Sequence, residues 1–251
     1  MASLTPLLRP ALRTTTTTTL PTLQTRTFLP NIFSSATSGP PTSSIQTLRA
    51  SRTLPYPPAP IYSIIADVPS YSSFLPYCTR SSITHWSAPD AITGRRWPSI
   101  GVLTSGFGSF SESFASRVYC VPGKVVESVG GETQTTLARE LIAHHFVDAE
   151  GRDIEADGGA GLSRKGSQGL LTHLRNTWTV EEVGTGKTRI ELSLEFAFAN
   201  PVYAALSAGV VPKVAEAMVR AFEERVEGLL RESPEMVAAR LEELDGSRLR
   251  R

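Results

Sequence analysis

Four histidines, two cysteines and a set of carboxylates are the residues of this 251-residue chain that could do chemistry. His144 and His145 are adjacent, so on a strand they would point to opposite faces and could not easily share one metal; His85 and His173 stand alone. No His-Glu-x-x-His or Cys-x-x-Cys spacing occurs. Cys78 and Cys120 are too few for a disulfide scaffold or a four-cysteine zinc site, and read as small apolar residues in a reducing compartment. There is no Gly-x-Ser-x-Gly elbow, so a serine triad would have to be assembled from distant positions. Gly101, Gly106 and Gly108 do not make a phosphate-binding G-x-G-x-x-G ahead of a helix. Asp67 reads as a helix stop or a loop hydrogen bond, and Glu112 as a partner for Arg117 or Arg175. The residues thus offer no catalytic and no metal-binding constellation.

The elements that would hold these residues begin after an unusual leader. Residues 1–52 hold five arginines, twenty Ser or Thr and no acidic residue; the first carboxylate is Asp67. That composition is of a mitochondrial transit peptide, drawn toward the negative side of an energised membrane. Cleavage is expected near Phe28, and residues 1–43 are read as address or disordered segment; a Thr/Pro-rich tail and a plastid address remain as alternatives. The rest of the chain has 20 basic against 24 acidic residues, a net of −4, which argues against a nucleic-acid binder. No apolar run is long enough to cross a membrane as a helix. With 40% hydrophobic residues the chain can bury a core.

The hydropathy pattern predicts a strand at 44–54, a short helix carrying Ile61, Ile64, Ile65 and Val68, and a turn-like hook through Tyr71, Phe74 and Leu75. Strands are expected at 78–87, 99–109, 110–121, 124–129 and 171–182. The cleanest signal is 188–198, where Ile190, Leu192, Leu194, Phe196 and Phe198 alternate with Arg189, Glu191, Ser193 and Glu195. Between these, 130–170 is glycine-rich and reads as a flexible insertion, with Leu137 to Phe146 a strand or helix fragment. From Tyr203 the period switches to that of an amphipathic helix of about 30 residues, bent near Gly209 and Pro212. Residues 233–251 read as a charged tail. Strands in series before one long helix make an α+β fold: a curved antiparallel sheet wrapped around a C-terminal helix, with an apolar cavity between them.

Tyr62 to Val68, followed by Tyr71-Ser72-Ser73-Phe74-Leu75-Pro76-Tyr77-Cys78, resembles the coenzyme Q-binding START-domain proteins of the polyketide cyclase/START helix-grip superfamily. Gly106-Phe107 with Glu112 to Val118 resembles that family's central hairpin. Leu174 to Trp178 resembles its next strand, and Phe196 to Tyr203 with Met218 to Arg225 its end. The four segments occur in order over about residues 45–231, within a domain read as 44–232. The resemblance implies a START-like protein on the matrix side of the mitochondrial inner membrane. It would bind ubiquinone as a ligand, with no catalytic cofactor, and support coenzyme Q biosynthesis and respiratory electron transport as a carrier. Its other partners would be the membrane surface, in peripheral contact, and quinone-biosynthesis or respiratory complexes.

In such a fold the core wall is also the pocket wall. The residues expected to touch ligand are Phe74, Pro76 and Tyr77 after the hook, Phe107, Phe114 and Val118 in the hairpin, and Trp178 in the next strand. Leu192, Leu194 and Phe196 follow, then Tyr203, Leu206, Val210, Val214, Met218 and Phe222 along the helix. The Pro76–Tyr77 loop and the Val210–Val214 segment would form a mouth that meets the bilayer. Under the same resemblance Glu112 could instead accept a hydrogen bond from a reduced quinone. Two other functions fit the same pattern: a cyclase-type enzyme, which would need a convergent polar set inside the cavity, and an interaction module for a mitoribosomal or quinone-biosynthesis complex.

Overall fold

The computed structural model describes residues 45–107, 110–147, 152, 171–200 and 211–249. The leader expected at 1–43 lies outside them, as do Tyr203, Leu206 and Val210 and the side chains of Phe107, Phe110 and Glu112. Seven antiparallel strands form one sheet in the order β1-β7-β6-β5-β4-β3-β2. They are β1 (Gln46–Leu54), β2 (Cys78–Trp86), β3 (Pro98–Phe107), β4 (Phe110–Val121), β5 (Val125–Gly131), β6 (Leu171–Gly184) and β7 (Lys187–Phe198). Helix α1 (Pro58–Ala66) and a 3-10 turn (Val68–Ser73) fill the β1–β2 connection, and helix α2 (Val211–Glu232) follows the last strand.

Register explains why one face is buried. Leu192 of β7 stands opposite Ala50 of β1 and Trp178 of β6, and Trp178 stands opposite Val126 of β5. Residues paired across antiparallel strands share a face, so these side chains line one side of the sheet. Helix α2 packs on it against β1 and β7, while α1 packs against β5 and β6. The buried stripe of α2 is Ala215, Val219, Phe222, Val226 and Leu229, at helical spacing. Pro58 lies in the first turn of α1 and Pro212 in that of α2, where a missing N–H leaves no helical hydrogen bond unmade. Of the bend expected near Gly209 and Pro212, Gly209 lies outside the described residues and Pro212 is the second residue described in α2. Arg52 reaches from β1 to both Glu216 and Glu223 of α2, so Arg49 and Arg52 belong to the sheet rather than to the leader.

Two further expectations are corrected. Residues 130–147, within the stretch read as a flexible insertion, end β5 and then form a 3-10 segment (Arg139–His145), in agreement with the fragment expected at Leu137 to Phe146, that buries Ile142 against Tyr119, Val121 and Val129. Beyond it only Arg152 of the expected insertion is described before β6 begins. The charged tail is docked: Met236, Leu244 and Leu249 are buried, Arg95 donates to the Leu241 carbonyl at 2.7 Å and Arg225 to that of Leu249 at 3.0 Å. Three apolar residues spread among many charges gave no periodic signal. The pairing expected for Glu112 falls on a side chain outside the described residues, while Arg117 and Arg175 align through Val129 on one face. Arg175 bonds Glu195, its cross-strand neighbour, at 3.0 Å.

His144 and His145 lie in the 3-10 segment with ring centroids 4.3 Å apart, not on a strand. The last registered β3–β4 pair is Ile100–Arg117, so the Cys120 N–H lies past the ladder. His145 Nε2 accepts from it at 2.8 Å, which puts the ring proton on Nδ1, bonded to Ser99 Oγ at 2.8 Å. In that tautomer His145 cannot take a proton from Ser99, and the pair is structural. Burial, reinforced by His144, pushes the His145 pKa down to about 3. The unfolded chain takes up this proton near pH 6.5 while the native chain does not. Stability is therefore full above pH 6.5 and falls on acidification toward pH 3. In urea titrations from pH 7 to 4 we expect a loss of up to about 1.4 kcal/mol per pH unit from this one group, and a shallower slope in His145→Gln.

Candidate functional site

Between α2 and the sheet, side chains are fully buried toward one end and only partly covered toward the other. At the buried end Val118, Cys120, Val126, Trp178, Val180, Ile190 and Leu192 lie beneath α1 and α2. Cys120 is wholly enclosed, and desolvation raises its thiol pKa to about 12, so it is an inert apolar filler. Farther along the strands burial on this face is less complete, though Ser116 and Phe196 on it stay buried. Leu103, Phe114, Ser128, Leu174, Asn176 and Leu194 carry on the same face of their strands but are only partly covered. That gradient leaves apolar wall facing the helix without full protein cover, the form of an apolar ligand site.

Phe222 of α2 is the hub of the buried end. Its ring, wholly buried, lies 4.5 Å from Trp178, 5.0 Å from Phe74 and 5.3 Å from Tyr71, each steeply inclined. The structure thus brings Phe74, Phe222 and Trp178 together and puts Val118, Leu192, Leu194, Phe196 and Phe114 on the same sheet face. Met218 packs beside them from the helix. Pro76 and Val214 are partly buried at the margins. Tyr77 is 44% exposed and holds a positive φ of 65°, with its carbonyl accepting from the Gly106 N–H at 2.8 Å. A non-glycine residue in that region is uncommon, so the loop holds an aromatic ring toward solvent at a backbone cost.

Among the described side chains, polar groups on this face are few. Arg52 is engaged with two glutamates of α2. Ser128 and Ser116 are neutral. Asn176 was not among the residues the sequence singles out, although an amide interrupting the apolar set Leu174, Trp178 and Val180 was visible there. Its Oδ1 and the Trp178 Nε1 are buried with no hydrogen-bond partner. Among the described residues no three His, Cys, Asp or Glu side chains gather as a metal site.

Residues 54–223 match the family described as polyketide cyclase / dehydrase and lipid transport. The chain is 29% identical over 178 residues to the "Coenzyme Q-binding protein coq10, mitochondrial" of Schizosaccharomyces pombe, covering 71% of this chain and 85% of that one. It is 25% identical over 182 residues to the "Ribosome association toxin RatA" of Pseudomonas aeruginosa, covering 72% and 96%. Among solved structures, the Zhui aromatase/cyclase of Streptomyces sp. R1128 superposes with a TM-score of 0.51 at 14% identity, over 75% of this chain and 97% of that one, a likeness of fold.

If Phe222 is the hub of the buried end, Phe222→Ala should destabilise the protein by about 3–5 kcal/mol in chemical denaturation, the cost of a large buried cavity. Met218→Ala, at the partly covered margin, should cost less.

Proposed function

Since the chain belongs to the polyketide cyclase / dehydrase and lipid transport family, we propose that it binds ubiquinone between α2 and the sheet and carries it in the mitochondrion, without chemistry of its own. The observation that carries this reading is the incompletely covered apolar face running from Trp178 past Asn176 to Leu174 and Leu194. The fission-yeast relative, named for coenzyme Q binding and for the mitochondrion, supports the ligand and the compartment. An isoprenoid tail is too apolar to cross water unshielded: each buried CH₂ contributes about 0.8 kcal/mol, so a partly enclosed tail binds well. The inward polar groups described are neutral or already paired, which favours binding over proton transfer.

The matrix side of the inner membrane is the proposed place of work, supported by the acid-free arginine-rich leader. Among the described residues no helix is long and apolar enough to cross a membrane. Peripheral contact through the Pro76–Tyr77 loop suits the exposed Tyr77 ring, since tyrosine favours the headgroup region. The ligand would approach along the side lined by Val214 and Leu194. From there the carrier would serve coenzyme Q biosynthesis and respiratory electron transfer.

Mass spectrometry of lipid extracted from the purified chain tests the proposal. Ubiquinone should be recovered close to stoichiometrically from the wild type. Leu194→Gln and Val214→Glu should lower recovery at least tenfold while leaving the circular dichroism spectrum unchanged; equal recovery would sink the reading. The relative named as a ribosome association toxin supports a second reading, a module that docks on a mitoribosomal subunit. Cosedimentation with ribosomes that survives both delipidation and Leu194→Gln would favour it.

A further inference from the structure

Two polar atoms lie unpaired at the boundary between the dry core and the partly covered end. Trp178 is 1% exposed and its indole Nε1 has no hydrogen-bond partner; nor does the buried Oδ1 of Asn176. Both side chains rise from the same face of β6, two residues apart, a rise of about 6.6 Å along the strand. Their neighbours across the ladder are Leu192 and Leu194 on β7 and Val126 and Ser128 on β5. Phe222 closes the space beside the indole. A buried donor and a buried acceptor left unmade each cost about 1–3 kcal/mol. Stability alone would place Phe and Leu at these positions. The charged residues of the neighbouring rungs, Arg175 and Glu195, pair with each other on the opposite face.

We infer that Asn176 and Trp178 form the floor of the site and select the reduced, dihydroxy form of the ubiquinone ring over the oxidised dicarbonyl form. The assignment rests on the ubiquinone reading above and adds to it an orientation and a redox preference. A ring hydroxyl accepts from the Trp178 N–H and donates to the Asn176 Oδ1 at the same time, satisfying both orphans. A ring carbonyl can only accept, so with the amide oriented as placed, Oδ1 inward, it pairs with the indole and leaves Asn176 Oδ1 facing a second acceptor. The burial gradient then sets direction. The head lies inward against Trp178, and the tail runs outward past Leu194, Leu174 and Phe114, where the wall is apolar and least covered.

The test is an anaerobic titration of the full chain with a short-tailed ubiquinone analogue, in quinone and in quinol form. Affinity is followed together with the indole ¹⁵N–¹H signals, that of Trp178 being assigned by its absence in Trp178→Phe. The wild type should bind the quinol about tenfold more tightly, the ratio one additional hydrogen bond supplies. The Trp178 indole signal should shift on binding. Asn176→Leu should bring the ratio of affinities close to one with quinone binding retained. Equal wild-type affinities, a preference that survives Asn176→Leu, or an unmoved Trp178 signal on bound protein would each overturn the inference and leave the carrier reading standing. A wild-type chain that takes up neither form overturns both. The indole signal is read on the wild type, so a misfolded variant does not spare the inference.

Discussion

The contact of the Phe222 ring with the Trp178 indole joins three parts of the chain that are remote in sequence. Helix α2 supplies Phe222, β6 supplies Trp178, and the turn after α1 supplies Tyr71 and Phe74. A sheet with one apolar face must be covered, and a single helix is too narrow to cover seven strands. Fixing the helix at one end therefore leaves the other end of the face short of cover. Dense packing at Phe222 and the partly bare wall at Leu194 are two results of one geometric constraint, and the second depends on the first.

Much of this was legible in the chain. The alternation at 188–198 reports β7 directly, because a half-buried strand writes its two environments into successive residues. The helical stripe from Ala215 to Leu229 is equally plain. What the sequence conceals is what depends on register between distant strands. Arg175 shows no evident partner in sequence until the ladder brings Glu195 beside it. Asn176 looks like a lapse in an apolar strand until its neighbours prove dry. His145 looks exposed in a glycine-rich stretch, yet it bonds an amide that β3 ends too soon to reach. Leu244 and Leu249 vanish among charges because a docked irregular segment has no period to display.

The two faces of the sheet divide the tasks. The face against α2 is apolar and partly uncovered. The other is closed by the 3-10 segment and carries hydrogen bonds between polar side chains: Glu127 accepts from Thr135 and from Thr177 at 3.3 Å, and Arg175 bonds Glu195 and the Gln134 carbonyl. Hydrogen bonds of that kind fix strand order and register. They give the sheet a rigid back, so the side facing α2 need not be defined by its own packing alone.

The first strand of the sheet lies beside the last. Gln46 to Leu54 pairs along its whole length with Phe196 to Thr188, and Thr188 bonds the Tyr56 carbonyl across 132 residues of chain. A chain that emerges from its N-terminus, from a ribosome or through a translocation pore, therefore makes β1 long before its partner exists. Until β7 arrives, β1 is a bare edge rich in Thr, Ser and Arg, whose charges discourage pairing with a stranger. Closing so long a loop is slow, because the entropy of bringing its ends together is lost before any contact compensates. Assembly of this sheet is thus a late event, and a chain in transit needs protection from aggregation until its final strand is free.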